Sequence, residues 1–447
     1  MNFRVPKTLA ISAVLATILL MAVVPLTSCK ADKTKDPKVC SGKDPKTCPP
    51  KPKKPKVCSA KAGEPCPPKG AKSGSVQDKA GKFEPATERT EAIARFEKMR
   101  YGAYIHFSMN TFLDPEEFGI SSCGAPLGAM PSAQRYNPTA LDVDQWVATV
   151  KQAGMKYAVL TAKHYIGFSL WDSKYSDYDV AASGNKTDVV AEFVKACRKY
   201  GIEPGLYYSL GVDAANRKGK KLTDDQWYKL ANKQITELLT NYGPIAVFWF
   251  DGMGSVSPAQ LQQAYDTVKS IQPDCLVIVN NGYVDGTSLK NWPTDILAGE
   301  RTCPPPDGHN PWMEYEGKTY YIPMETCDTS AQGTSSKGWF WEPSEQLKEV
   351  KRELLRLYRK SVGRGANLLL NIAIDREGKV PQATVEQLLK LGKTIGKSGD
   401  AGSVAVQAKT CSGKDAKSCP PKDTKKVCSG KGPKSCGSGN DKGKEGK

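Results

Sequence analysis

The chain has 447 residues, 64 Lys and Arg against 47 Asp and Glu, and a net charge of +17. The excess is confined to the two ends: residues 30–80 carry 14 Lys against 5 acids and residues 401–447 carry 11 against 4, so the tails hold +16 and the stretch between them is near neutral. That distribution argues against nucleic acid as a partner, because the basic footprint such binding needs lies outside the part able to fold.

In chain order, the first predicted element is an export signal over residues 1–29. Arg4 and Lys7 precede an apolar run from about Leu9 to Leu26, and small residues lead to Cys29. The run is also near membrane-spanning length, but "LTSC" resembles the lipobox of bacterial lipoproteins. Lipidation is therefore expected at Cys29, and with it an exported protein held on a membrane by a lipid anchor. Residues 30–80 and 401–447 are two low-complexity tails sharing a unit of paired cysteines: Cys40 and Cys48, Cys58 and Cys66, Cys411 and Cys419, Cys428 and Cys436. The tails contain no histidine and the spacing is wider than in a zinc knuckle, so small disulfide-closed loops are expected rather than metal sites. So rich in Lys, Pro and Gly, neither tail can bury enough apolar surface to form a domain and both are expected to be disordered. They read as a solvated spacer, or as a surface drawn to acidic lipid or polysaccharide.

Residues 81–400 have the rhythm of a (β/α)8 barrel. Apolar strands are predicted at 101–107, 157–164, 203–209, 245–251, 275–281, 295–300, 320–326 and 366–372. Helices with physical start and stop signals lie between several of them. Asp142 can cap the helix that Gly154 ends, Asp188 the one that Gly201 ends, and a third stops at Gly243. The sixth and seventh units are the weakest, because 301–318 and 327–343 read as loops.

In such barrels chemistry gathers at the carboxyl ends of the strands. The polar residues there are His106, His164, Tyr207 with Ser209, Asp251, Glu300, Glu325 and Asn371, and they include two of the chain's three histidines. Asp251 follows the unbroken apolar run Ile245–Phe250, where an unpaired charge costs several kcal/mol. Alternation sets Val247, Trp249 and Asp251 on one face and Phe248 and Phe250 on the other, so the carboxylate shares its side with an indole suited to a sugar ring. Gly252 then allows a sharp turn. Capping of the next helix does not explain Asp251, because Ser257 is available for that role.

The motifs "YGAYIHFSMNTF", "YNPTALDVDQWVATVKQAGMKYAVLTAKH", "GFSLWDSKYSDYDV", "YGPIAVFWFDG" and "SVGRGANLLLNIAID" resemble, in order and spacing over about 85–395, the catalytic domain of α-L-fucosidases of glycoside hydrolase family 29. The resemblance implies a retaining exo-hydrolase of terminal α-L-fucose, acting on a fucosylated oligosaccharide or glycoconjugate. It gives Asp251 of "WFDG" the nucleophile's role. Glu300 becomes the acid/base, with Glu325 as runner-up, and His106, His164, Tyr207 and Trp249 become sugar-binding residues. A retaining mechanism needs its two carboxyls about 5–5.5 Å apart and an acid that keeps its proton, so Arg301 is expected to point away from Glu300. Such a mechanism requires no metal or other cofactor, and no ligand cluster for a metal is legible.

The chain departs from the family's pattern in three places. "KHYIGF" puts Tyr165 and Ile166 where a second histidine and an Asp are usual, leaving Tyr165 to hydrogen-bond the sugar. "PEEFG" puts Glu117 and Phe118 where a Glu-Trp pair is common, which leaves Glu117 to bind the sugar and loses the indole N–H. No β-sandwich follows the barrel before the low-complexity tail. The first departure motivates an alternative, a catalytically weakened fucose-binding lipoprotein.

Overall fold

In the computed structural model the residues described are 82–113, 130–282, 288–301, 305, 309–333 and 338–397. Cys29, Glu117, Phe118, the signal segment and the cysteine repeats lie outside them.

Eight parallel strands close into a barrel: β1 (Tyr101–His106), β2 (Tyr157–Lys163), β3 (Glu203–Ser209), β4 (Val247–Asp251), β5 (Leu276–Asn280), β6 (Ile296–Glu300), β9 (Met324–Thr329) and β10 (Asn367–Ala373). A separate antiparallel hairpin, β7 (Trp312–Tyr315) and β8 (Lys318–Tyr321), comes before β9. This corrects the expected strand 320–326. Tyr320 and Tyr321 belong to the hairpin, and Pro323, which has no N–H for a ladder, separates it from a barrel strand that begins at Met324. The stretch 301–318, which reads as a loop in the sequence, carries the first strand of this hairpin and the turn into its second.

The helices obey their caps. Helix α1 (Glu91–Met99) precedes β1, and its Ile93 and Phe96 pack inside the barrel, Phe96 edge-on to Tyr157. Asp142 accepts from the Gln145 N–H to start α2 (Val143–Gln152), and Asp188 does the same with Ala191 for α3 (Val189–Tyr200), which Gly201 ends at φ +62°. Capping boxes built on Thr223 and Ser257 start α4 (Asp224–Asn241) and α5 (Pro258–Ile271). Helices α6 (Leu355–Val362) and α7 (Gln382–Lys397) flank β10 in sequence.

Side-chain alternation makes two apolar layers. Val159, Tyr207, Val247, Trp249, Ile278, Ile296 and Leu369 fill the barrel, whereas Leu160, Tyr208, Phe248, Phe250 and Val277 face the helices. Gly102 belongs to the inner face, where a Cβ would overlap the Tyr157 ring. Its absence lets that ring cross the barrel to Glu325.

Candidate active site

Strands β4, β5 and β6 each end an apolar run on a polar residue: Asp251, Asn280 and Glu300. The Asn280 amide nitrogen donates to Asp251 Oδ1 at 2.9 Å and to Glu300 Oε2 at 2.8 Å. One nitrogen therefore holds those oxygens within about 6 Å of each other. Asp251 has three further donors: Tyr165 and Tyr207 hydroxyls on Oδ2 at 2.8 and 2.9 Å, and the Gly252 N–H on Oδ1 at 2.7 Å. Gly252 makes its bond from a left-handed backbone, φ +76°, as the sharp turn required. Four hydrogen bonds are what lets a carboxylate sit at the tip of an apolar strand.

Glu300 is held differently. Burial and then the charge of Asp251 push its carboxyl above the ordinary value, against the Asn280 hydrogen bond and the more distant Arg301. Arg301 does not simply point away: from φ +45° it donates to the Gly333 carbonyl at 2.7 Å and lies over the Trp339 ring, 4.9 Å from its centre. From there its pull on Glu300 is weaker than burial and Asp251.

Two histidines form the opposite wall. Asn371 donates from Nδ2 to the Gly338 and Trp339 carbonyls, so its Oδ1 faces His106 Nδ1 at 2.6 Å and must accept. His106 therefore carries its proton on Nδ1. Burial, then the neighbouring His164, depresses its pKa well below the usual value, which leaves Nε2 a bare acceptor. Burial takes His164 down to about 3. Its ring stacks on Tyr165 and Tyr207, with centres 4.4 and 5.3 Å away. Its Nδ1 has no partner among the described residues.

Ser209, Trp249 and Glu325 make hydrogen bonds within the protein. The Ser209 hydroxyl closes the following turn on the Val212 carbonyl. The Trp249 indole is buried and donates to Glu325 Oε1 at 3.0 Å, so its N–H is taken by the protein rather than offered to a ligand. Glu325 is the second residue of β9, deep inside the barrel and fully buried, and it also accepts from the Tyr157 hydroxyl at 2.6 Å. Tyr165, expected to face a sugar, instead bonds Asp251.

Glu325 leads to a stability prediction. Burial lifts it from 4.5 to about 7 despite its two donors. A carboxyl raised on folding contributes fully below its unfolded value, and that contribution is lost as pH climbs towards 7. The Glu325→Gln variant does not titrate. Its unfolding free energy should therefore gain on wild type by about 3 kcal/mol between pH 4.5 and pH 8. Urea unfolding at both values checks this, and a pH-independent difference refutes it.

Sequence reading missed Asn280, Trp339 and Phe340. Asn280 repeats the grammar of Asp251, a polar residue closing an apolar strand, and could have been found that way. Trp339 and Phe340 come from the segment between β9 and β10. Their rings pack 5.1 and 5.2 Å from His106, and Phe340 lies 4.9 Å from His164. No periodic pattern marks them. Among the described residues no group of three or more His, Cys, Asp or Glu could hold a metal ion.

The family model for alpha-L-fucosidase matches residues 71–400. The chain belongs to the alpha-L-fucosidase family. Alpha-L-fucosidase 1 of Arabidopsis thaliana is 34% identical over 304 residues, covering 64% of this chain and 56% of the relative. This family member thus spans little more than half the length of that protein. Among solved structures, alpha-L-fucosidase AlfC from Lactobacillus casei in complex with alpha-L-fucose product superposes with a TM-score of 0.52 at 26% identity, over 70% of this chain and all of the other. A glycoside hydrolase 29 family member from an unknown rumen bacterium gives 0.52 at 27% identity, over 71% of this chain and 58% of that one.

Proposed function

We propose that this protein is a retaining exo-α-L-fucosidase acting on fucosylated glycans. The observation that carries the reading is the Asn280 amide joined to both Asp251 and Glu300, because retaining glycosidases work with carboxyls about 5–5.5 Å apart. The two carboxyls also differ in the way the mechanism needs: one accepts four hydrogen bonds, the other is buried and inclined to keep its proton.

Asp251 attacks the anomeric carbon while Glu300 gives its proton to the departing glycosidic oxygen. The bond to the aglycone breaks as the bond to Asp251 forms, leaving a covalent fucosyl-enzyme. Glu300, now ionised, takes a proton from water, whose oxygen displaces Asp251 and restores the starting configuration. His106 Nε2 accepts a sugar hydroxyl, and His164, Trp339 and Phe340 wall the ring. The run "HYIG" does not favour a binding-only protein, since Tyr165 supports Asp251 directly.

A 2-deoxy-2-fluoro-fucosyl fluoride, which slows release of the intermediate more than its formation, should add one fluorofucosyl group to the protein. Peptide mass spectrometry should locate it on Asp251. Label on another residue, or hydrolysis with no label at any dose, overturns the reading.

A further inference from the structure

Strand β2 ends with an irregularity that serves no purpose in a plain barrel. Tyr157 and Val159 face inward, so alternation would turn Lys163 into the barrel and His164 out of it. The ladder to β3 slips instead. Thr161 opposes Tyr207 but Lys163 opposes Tyr208, a one-residue bulge that swings Lys163 towards the helices and His164 towards the mouth.

Lys163 then lies fully buried with all three ammonium protons taken, by the Tyr208 hydroxyl at 2.8 Å, Asp213 Oδ2 at 2.8 Å and Gln234 Oε1 at 3.1 Å. It also lies over the Tyr208 and Trp227 rings. Desolvating two charges offsets much of their attraction, and a buried pair of this kind is often no more stabilising than apolar residues of similar volume. The ion pair calls for another explanation.

The far side of Asp213 supplies one. Its Oδ1 accepts the Asn216 N–H at 2.6 Å and organises the short π-helical turn Ala214–Gly219. The start of that turn holds three successive carbonyls of the loop after β2: the Ala214 N–H donates to Tyr165 at 2.9 Å, the Ala215 N–H to Ile166 at 3.0 Å and Asn216 Nδ2 to Gly167 at 3.1 Å. Gly167, at φ +91°, approaches so closely that a Cβ would overlap the Asp213 carboxylate. The loop held in this way carries the Tyr165 hydroxyl that donates to Asp251.

We infer that the buried Lys163–Asp213 pair is a positioning device for catalysis: through residues 214–216 it fixes the loop 164–167 and so aims the Tyr165 hydroxyl at Asp251. The inference rests on the reading of Asp251 as nucleophile. Neither member of the pair touches the reacting atoms.

The test compares four proteins on an aryl α-L-fucoside, with rates normalised to the folded fraction: wild type, Tyr165→Phe, the neutral pair Lys163→Met with Asp213→Asn, and all three changes together. Tyr165→Phe and the neutral pair should each lower kcat/KM by about 10- to 100-fold, and the triple variant should fall no more than about 3-fold below Tyr165→Phe, because residues acting through one contact do not add. A neutral pair at the wild-type rate, or losses that multiply in the triple variant, overturns the inference. If the neutral pair does not fold, Asn216→Ala takes its place. That change removes the hold on Gly167, together with the Asn216 amide's bond to Asp213 Oδ2 at 3.2 Å, and keeps both charges of the ion pair, with the same non-additivity expected and independence overturning it. Asp251→Gly run alongside separates the failures. Turnover by that variant removes the nucleophile reading and this inference together, whereas an inactive Asp251→Gly beside a fully active neutral pair removes only the inference.

Discussion

The Asp251→Gly variant should lose at least about 10³-fold in kcat on an aryl α-L-fucoside and should recover when azide is added. The cause lies in the site's geometry. Tyr165, Tyr207, Asn280 and the Gly252 N–H all converge on one carboxylate, and truncation to glycine deletes the acceptor while leaving room for a small anion. Azide then displaces the aglycone in a single step. One displacement at the anomeric carbon inverts it, so the product should be β-L-fucosyl azide, distinguishable by its proton coupling. The α-azide from this variant would mean that another residue still forms the covalent intermediate, and unimpaired hydrolysis would remove Asp251 from the chemistry.

Much of this site was legible because it follows from strand grammar. Apolar runs located seven of the eight barrel strands and the first residues of the other, and Asp142, Asp188 and Ser257 announced their helices because a side-chain acceptor before a helix satisfies an otherwise orphan N–H. The placement of Asp251 beside Trp249 on the inner face also followed from alternation. What stayed hidden depends on contacts between distant segments. The bulge that reverses Lys163 and His164 is a property of the β2–β3 pairing, and the fate of the Trp249 N–H is decided by a residue 76 positions away. The apolar stretch 320–326 read as one strand because hydrophobicity does not reveal that Pro323 interrupts the pairing. That interruption is what places Glu325 in the barrel's interior rather than at its rim.

In the proposed mechanism the same geometry favours Glu300 over Glu325 as proton donor. Glu300 shares the Asn280 amide with Asp251, whereas Glu325 is enclosed by Tyr157 and Trp249 and fully buried. Glu300→Ala should therefore lower kcat/KM by about 10²- to 10⁴-fold on a fucosyl disaccharide, whose departing alkoxide needs a proton. The loss should be far smaller on a dinitrophenyl fucoside, whose phenolate leaves without one. With that activated substrate the fucosyl-enzyme accumulates, and azide should speed turnover by displacing Asp251. Two displacements restore the original configuration, so the product should be α-L-fucosyl azide, the opposite anomer from that of Asp251→Gly. The proton required for departure also sets the alkaline side of the profile. Wild-type kcat/KM should fall as pH rises through the raised pKa of Glu300, and that descent should be absent in Glu300→Ala. Glu325→Ala should show neither the dependence on leaving group nor the α-azide. If it shows both and Glu300→Ala shows neither, the proton donor is the buried carboxyl on β9, and the Asn280 bridge has a purpose other than catalysis.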